Sequence, residues 1–464
     1  MKKIFIPIIA FAVVVSSCKK NLELLPTDSI DISKAYTSVD DIEKGLMGVY
    51  AANNLANSAN PDGKIYIASI LADEAKISNE NRGQGQFTFK WQYSSVEGEH
   101  NADFARYYVM LDRLNRILEV IENIPAGTPA DNARKAKIKA ELLGLRGVAH
   151  YELLIRFMPS GYDANALGVA IMLKSDITAK PARNKVGEVV TQIESDLSAA
   201  RNESNLPNAP TDVVRLSKAA IAGYQARVAL LKRDYTAAIS FATDAINFSG
   251  KTLATGGVYQ NYWTDGNESE TIWKYRNQAT PQLLWRDTNG DVFFEPSDKL
   301  KNQFNKASDI RYSTFFGAIG GDTSVVIKYP GSSSGPQIND EKIIRISEMY
   351  LTRAEAYAES NQLTQAAADL NAVRAARITG YTNVSFAAKD EAVNAIMDER
   401  FKELCFEGFR FFDLKRKGLP INRNASDVQS TSWQNLPAND YHFALPLPQH
   451  ETKANPNAQQ NPNY

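Results

Sequence analysis

The sequence predicts a mostly α-helical protein: tetratricopeptide-like helix pairs forming a scaffold, with large inserted loops and a few short strands. Three observations predict it. Apolar residues recur at helical spacing through much of the 464-residue chain. A helix, a tight turn and a second, alanine-rich helix occur near 217–246 and return 128 residues later, the pattern of a tetratricopeptide unit. Long stretches without helical period, at Asn54 to Ala102, Ser249 to Thr323 and Tyr381 to Ala387, separate these helices.

The first element is an export signal. Lys2 and Lys3 precede an apolar run from Ile4 to Val15, which is too short to span a bilayer and is interrupted by Pro7. It ends in Val15-Ser16-Ser17-Cys18, small residues before a cysteine, similar to a bacterial lipoprotein box. Cys18 is thus the expected lipid-attachment residue and residues 1–17 the removed signal. Several acyl chains on one residue suffice for stable anchoring. The polar stretch 18–36, with Pro26, Thr27, Asp28 and Ser29, reads as a tether.

The helices follow in order. Ser38-Val39-Asp40-Asp41 forms a capping-box start, with Ile42, Leu46 and Val49 behind it. A second helix is expected from Asp103 to Ile124, ended by Pro125, Gly127 and Pro129, and a third from Arg134 to Phe157, stopped by Pro159 and Gly161. Val186 to Asn202 gives a fourth. Ser217 to Arg233 and Tyr235 to Ile246 make the first tetratricopeptide-like pair; Ile346 to Glu359 and Leu363 to Val373 make the second. Leu363 then stands where Tyr235 does, and Ala366 where Ala238 does. A short strand is expected at Ser324 to Tyr329, before Pro330-Gly331-Ser332.

Composition narrows the function. Without Lys2 and Lys3, 50 basic residues face 53 acidic ones, a net charge of about −3, and no basic block points to nucleic acid. Of two cysteines, Cys18 is assigned to lipid, so Cys405 has no disulfide partner and reads as a buried small hydrophobe. The four histidines are scattered and form no H-E-x-x-H; there is no P-loop, no C-x-x-C and no G-x-S-x-G. No metal site, cofactor or catalytic set is expected. The membrane is contacted through the lipid alone.

Several motifs in order resemble the RagB/SusD family of outer-membrane lipoproteins from Bacteroidetes. They are Leu22 to Thr27 after the lipobox, Glu141 to Pro159, Arg345 to Ala358 with Glu348-Met349-Tyr350-Leu351, Glu399 to Leu414, and the ending Leu445-Pro446-Leu447-Pro448 through Tyr464. Val15 replaces the commoner Leu of the lipobox, and Met158 stands where a small residue is usual. The resemblance implies a SusD-like fold, with 37–250 an N-terminal helical region carrying a ligand loop. The C-terminal region, 251–464, would pack with it as one globular body. It also implies a non-catalytic surface protein that captures oligosaccharide and delivers it, as a lid, to a SusC-like TonB-dependent transporter. A peptide or glycopeptide ligand, and a scaffold that only organises other proteins, are the competing readings.

Sugar binding needs flat aromatic faces for stacking and planar polar groups for hydroxyls. All five tryptophans, Trp91, Trp263, Trp273, Trp285 and Trp433, lie outside the predicted helices. The resemblance implies a ligand site built from the loops around Trp91 and Trp285. Trp91, Tyr93 and Trp285 are therefore the expected platforms, with Asn79, Arg82, Arg286 and Asp287 as polar partners. A loop tryptophan can equally pin its loop to the body. Arg400, Glu403, Glu407, Arg410 and Asp413 recur every three or four residues, spaced for ion pairs along a helical face and read as structural. Asp73-Glu74 and Glu268/Glu270 are the acids a glycosidase reading would use, and abundant surface acids make that reading weak.

Overall fold

The computed structural model describes residues 32–56, 63–96, 101–276, 290–319, 323–336 and 338–464. Its longer helices are α1 (Val39–Ala56), α2 (Lys64–Leu71), α3 (Asn101–Val120), α4 (Pro129–Phe157), α5 (Val186–Arg201), α6 (Lys218–Lys232), α7 (Tyr235–Ser249), α8 (Gly256–Trp263), α9 (Ile346–Glu359), α10 (Leu363–Arg377), α11 (Lys389–Glu403) and α12 (Arg410–Lys417). Strands are short: β1 (Ala75–Ile77), β2 (Thr271–Tyr275), β3 (Phe294–Pro296), β4 (Phe316–Ile319), β5 (Thr323–Val326) and β6 (Glu341–Arg345) are the longer ones.

Four helix pairs stack in sequence: α1 with α3, α4 with α5, α6 with α7, and α9 with α10, each pair packing on the next. The array is thus more regular than the interrupted sequence suggests, because the insertions leave it and the chain returns to the next position. The two pairs recognised from sequence share their turn geometry. Arg233 and Asn361, 128 positions apart, both take the left-handed backbone conformation, with φ of 64° and 59°. The following amides, of Asp234 and Gln362, donate back to the carbonyls of Ala229 and Tyr357. Ala238, Ala242 and Ala245 on α7 and Ala366 on α10 are fully buried, so the small side chains sit where helices meet. A Cβ on Gly147 would lie 3.0 Å from Leu197, which is how α4 and α5 come close.

One helix boundary and two further helices differ from expectation for local reasons. Pro129 starts α4 rather than ending α3: Thr128 caps it, accepting from Asp131 N, and proline is tolerated at the first helical position. Helix α2 and helix α8 lie inside segments predicted to lack helix. Every residue of α2 from Ile65 to Leu71 is buried, so it has no polar face and shows no period.

The insertion after α7 is bound to the array by pairing and by charge. Strands β2 and β6 pair antiparallel beneath α6, and β1 pairs with β3, Ala75 opposite Pro296 and Ile77 opposite Phe294. Glu403 lies at the centre of a buried network, accepting from Arg311, Arg345 and Arg377, while Glu270 accepts from Arg345 and Arg377. The predicted ion-pair face is resolved differently. Helix α11 ends at Glu403 and Phe406 turns with φ 57°, so these residues pair with distant elements. Arg400 holds Asp413, Glu407 accepts from Lys328 and Arg345, and Arg410 holds Asp73. Cys405 is buried, and burial pushes its thiol up. One apolar core takes in residues from Val39 to Ala458, drawing on both halves of the chain.

Candidate ligand-binding site

Antiparallel pairing of β1 with β3 brings the loop 78–93 against residues 290–296, although more than two hundred positions separate them. Ser78 N donates to Phe293 O, Val292 N to Glu80 Oε2 at 2.7 Å, and Arg82 Nη2 pairs with Asp291 at 2.6 Å. Asn81 organises the turn. Its Oδ1 accepts from Gly83 N and Gln86 Nε2, and its Nδ2 donates to the Gln84 and Phe293 carbonyls. Asn79, Arg82, Gln84 and Phe87 are left exposed on this ledge; Phe87, at 52%, is a large apolar ring facing water.

What fixes the ledge is Arg423. Its five N–H groups donate to five carbonyls, those of Ile70, Leu71 and Ala72 at the end of α2 and those of Phe89 and Trp433, at 2.8 to 3.1 Å. The carbonyls that end a helix lack partners within it, and the helix dipole places negative charge there. A guanidinium can therefore be buried without a carboxylate, although burial pushes it down to about 9. Its plane lies over two rings, 3.8 Å from the Phe89 centroid and 4.1 Å from that of Trp91.

This arrangement corrects two of the expected platforms. Trp91 is 5% exposed, its indole N–H donates to Leu71 O at 3.0 Å, and Arg423 covers a face, so it pins the loop and offers sugar no surface. Tyr93 is 3% exposed; its hydroxyl donates to His442 O and its ring stacks on Tyr464, closing the C-terminus onto the body. Trp263 and Trp273 are also buried. Trp285, Arg286, Asp287 and Cys18 lie outside the described residues. Asn79 and Arg82 do sit on the exposed ledge.

Sequence reasoning missed Trp433 and Phe87 as surface rings. Trp433 is half-buried, alone in that among the described tryptophans, with Lys90 Nζ 4.5 Å above its ring. Lys90 donates to Gln86 Oε1, so rings and amides form one connected edge. Residues 86–89 form one helical turn, which sets Phe87 and Phe89 on opposite sides, Phe89 inward and Phe87 outward; nothing in the local sequence marked this turn.

The paired acids are structural. Burial alone would raise Asp73, but Arg410 and Lys299 hold it well below the usual carboxylate range. Burial pushes Glu74 up to about 8, and it accepts from Phe406 N. Both are fully enclosed. Glu270 is spent on Arg345 and Arg377, and Glu268 on Lys274. Among the described residues, no group of His, Cys, Asp and Glu is placed to hold a metal ion, and no helix is long and apolar enough to cross a membrane. A separate groove of about 430 Å³, floored by Phe104 and Tyr108 and walled by α3 and residues 169–183, contains none of the predicted residues.

Comparison with known proteins gives a consistent picture. Residues 300–464 match the model of the SusD family, and residues 22–230 match a family described as starch-binding and associating with the outer membrane. SusD-like protein P38 of Formosa agariphila is 24% identical, covering 87% of this chain and 88% of its own length. A SusD superfamily crystal structure from Bacteroides thetaiotaomicron superposes with a TM-score of 0.82 at 27% identity, covering 92% of this chain and all of that one. A putative sugar binding protein from Bacteroides vulgatus superposes with a TM-score of 0.78 at 25% identity, covering 93% of this chain and 99% of that one.

Proposed function

The chain belongs to the RagB/SusD family, and from that premise we propose that it is a non-catalytic, lipid-anchored protein of the outer-membrane surface that captures oligosaccharide. In this reading a SusC-like TonB-dependent transporter receives the sugar, with the protein acting as its lid. The ledge is the proposed binding surface. Phe87 and Trp433 supply rings for stacking on sugar C–H faces, and Asn79, Arg82 and Gln84 supply planar donors and acceptors for hydroxyls. Trp285, Arg286 and Asp287, which lie outside the described residues, remain part of the proposal because the family resemblance implies them.

The observation that carries the reading is the exposed Phe87 beside Asn79 and Arg82 on a loop riveted from below by Arg423. A rigid apolar ring with polar neighbours suits a ligand that is itself half apolar and half hydroxylated. Asp73, Glu74 and Glu270 are enclosed, and Asp73, Glu268 and Glu270 are held in ion pairs, which favours binding over catalysis.

A glycan and peptide array probed with the protein lacking residues up to Cys18 tests it. The expected result is a cluster of hits on one glycan family, weakened at least tenfold in Phe87→Ala and in Trp433→Ala. Hits on peptides alone would replace the sugar with a peptide ligand. Pull-down from solubilised outer membrane tests the partner; recovery without a large β-barrel protein would overturn the transporter assignment.

A further inference from the structure

Away from the ledge, where α2, α4, α6, α9 and α12 converge, the structure leaves a small, partly open pocket of about 40 Å³. Five cationic side chains line it, Lys64, Arg227, Arg400, Lys415 and Arg416, against only two anionic ones, Glu348 and Asp413. Including the next neighbours does not balance the charge. Arg227 is paired with Glu348, Arg400 with Asp413, Arg416 with Glu355 and Arg156 with Glu152. Lys64 shares Glu152 at 2.9 Å, and among the described residues no carboxylate pairs with Lys415.

Hydrogen bonding shows the same surplus. Lys415 is 2% exposed and donates to two carbonyls at the end of α4, those of Ile155 at 2.6 Å and Arg156 at 3.1 Å, leaving one of its three protons without an acceptor among the described residues. Lys64 donates to Glu152 alone. Arg227 uses Nε and Nη2, and no described group accepts from Nη1. Unspent donors therefore border a partly open pocket lined by more cationic than anionic side chains. Burying unpaired charge costs several kcal/mol unless something compensates it.

We propose that this pocket binds a weakly hydrated halide, chloride or bromide, held by Lys64, Arg227 and Lys415. Its volume admits such an ion with a water or two, at roughly 10–15 Å³ each on the same measure. The rest of the lining selects among anions. Phe409 and Phe412 lie beside the cations, with Arg227 5.1 Å from the Phe409 centroid and Lys64 5.7 Å from that of Phe412, and Ile155, Leu230 and Leu231 add apolar wall. Such a lining favours chloride or bromide over strongly hydrated, doubly charged sulfate. Burial pushes the Lys415 amine well below its ordinary value, so a bound anion would also restore its charge. The ion would tie α2 and α12, which support the ledge, to the helical array.

Crystals of the protein grown with sodium bromide test the proposal directly. An anomalous bromine peak inside the cavity, within hydrogen-bonding reach of Lys64, Arg227 and Lys415, is the expected result. A cavity with ordered side chains and no anomalous peak overturns it. In solution, Tm should rise saturably in chloride relative to fluoride at equal ionic strength. The rise should vanish in Lys415→Met, or in Lys64→Met if the first variant does not fold. A rise that persists in the folded variant overturns the assignment.

Discussion

Replacing Arg423 with methionine is expected to destabilise the protein by about 3–5 kcal/mol, the usual scale for breaking a buried charged assembly. Methionine fills much of the space between Phe89 and Trp91 but donates nothing. Five carbonyls then lose a donor, three of them at the end of α2. A buried acceptor left without a partner costs ~1–3 kcal/mol. Against this stands relief of the guanidinium's own burial, the effect that pushes it down to about 9. The relief is worth several kcal/mol and keeps the net below the simple sum. Two cation–π contacts, each worth up to ~2 kcal/mol when desolvated, are also lost. Since domains are stable by only ~5–15 kcal/mol, the loss should be plain in a urea titration as a lower midpoint with unchanged slope. Arg423→Lys separates charge from geometry: an ammonium has three donors and no plane to stack, so it should recover less than half. A loss below ~1 kcal/mol in Arg423→Met, or full recovery by lysine, would refute the account.

Further outcomes follow from other sites. Trp91→Ala should lower stability by ~3–5 kcal/mol through the cavity it leaves, with the weakened glycan binding recovered at low temperature where the fold persists. Phe87→Ala should leave the urea midpoint unchanged while binding falls, because its ring is exposed. Burial raises Glu74 to about 8 from 4.5, so its contribution is full below pH 4.5 and is lost as pH rises from there through 8, a span of about 5 kcal/mol; Glu74→Gln should flatten that loss between pH 4.5 and 8. Burial lowers His150 to about 4 from 6.5, with Nε2 accepting from Met172 N. Its contribution of ~3 kcal/mol is present above pH 6.5 and is lost as pH falls through 4, which His150→Gln should reduce in acid unfolding curves.

The helices facing solvent on one side were legible because an amphipathic helix writes its period into the sequence. That holds for α5 and α7; α6, buried at every residue from Ala219 to Leu231, was legible through its pairing across a tight turn, and the turn residues Arg233 and Asn361 match in conformation as well as in position. Helix α2 was not legible, because burial on all sides removes the polar face that makes a period visible. The same limit governed the site. A tryptophan in a loop looks identical in sequence whether it faces sugar or a buried arginine, and Trp91 faces Arg423, 332 positions away. The acids of the Glu399 to Asp413 segment form ion pairs, as read, but most of their partners lie on other elements.

By itself the sequence determined the helical class, the repeated pair, the family and the loops that form the ledge, since these rest on local period, turn chemistry and short motifs. Tertiary structure alone decided which aromatic rings remain exposed, which acids are spent on arginines and where positive charge is left without a counter-ion. Each of those depends on what is packed against a side chain, and packing joins residues that the chain order keeps hundreds of positions apart.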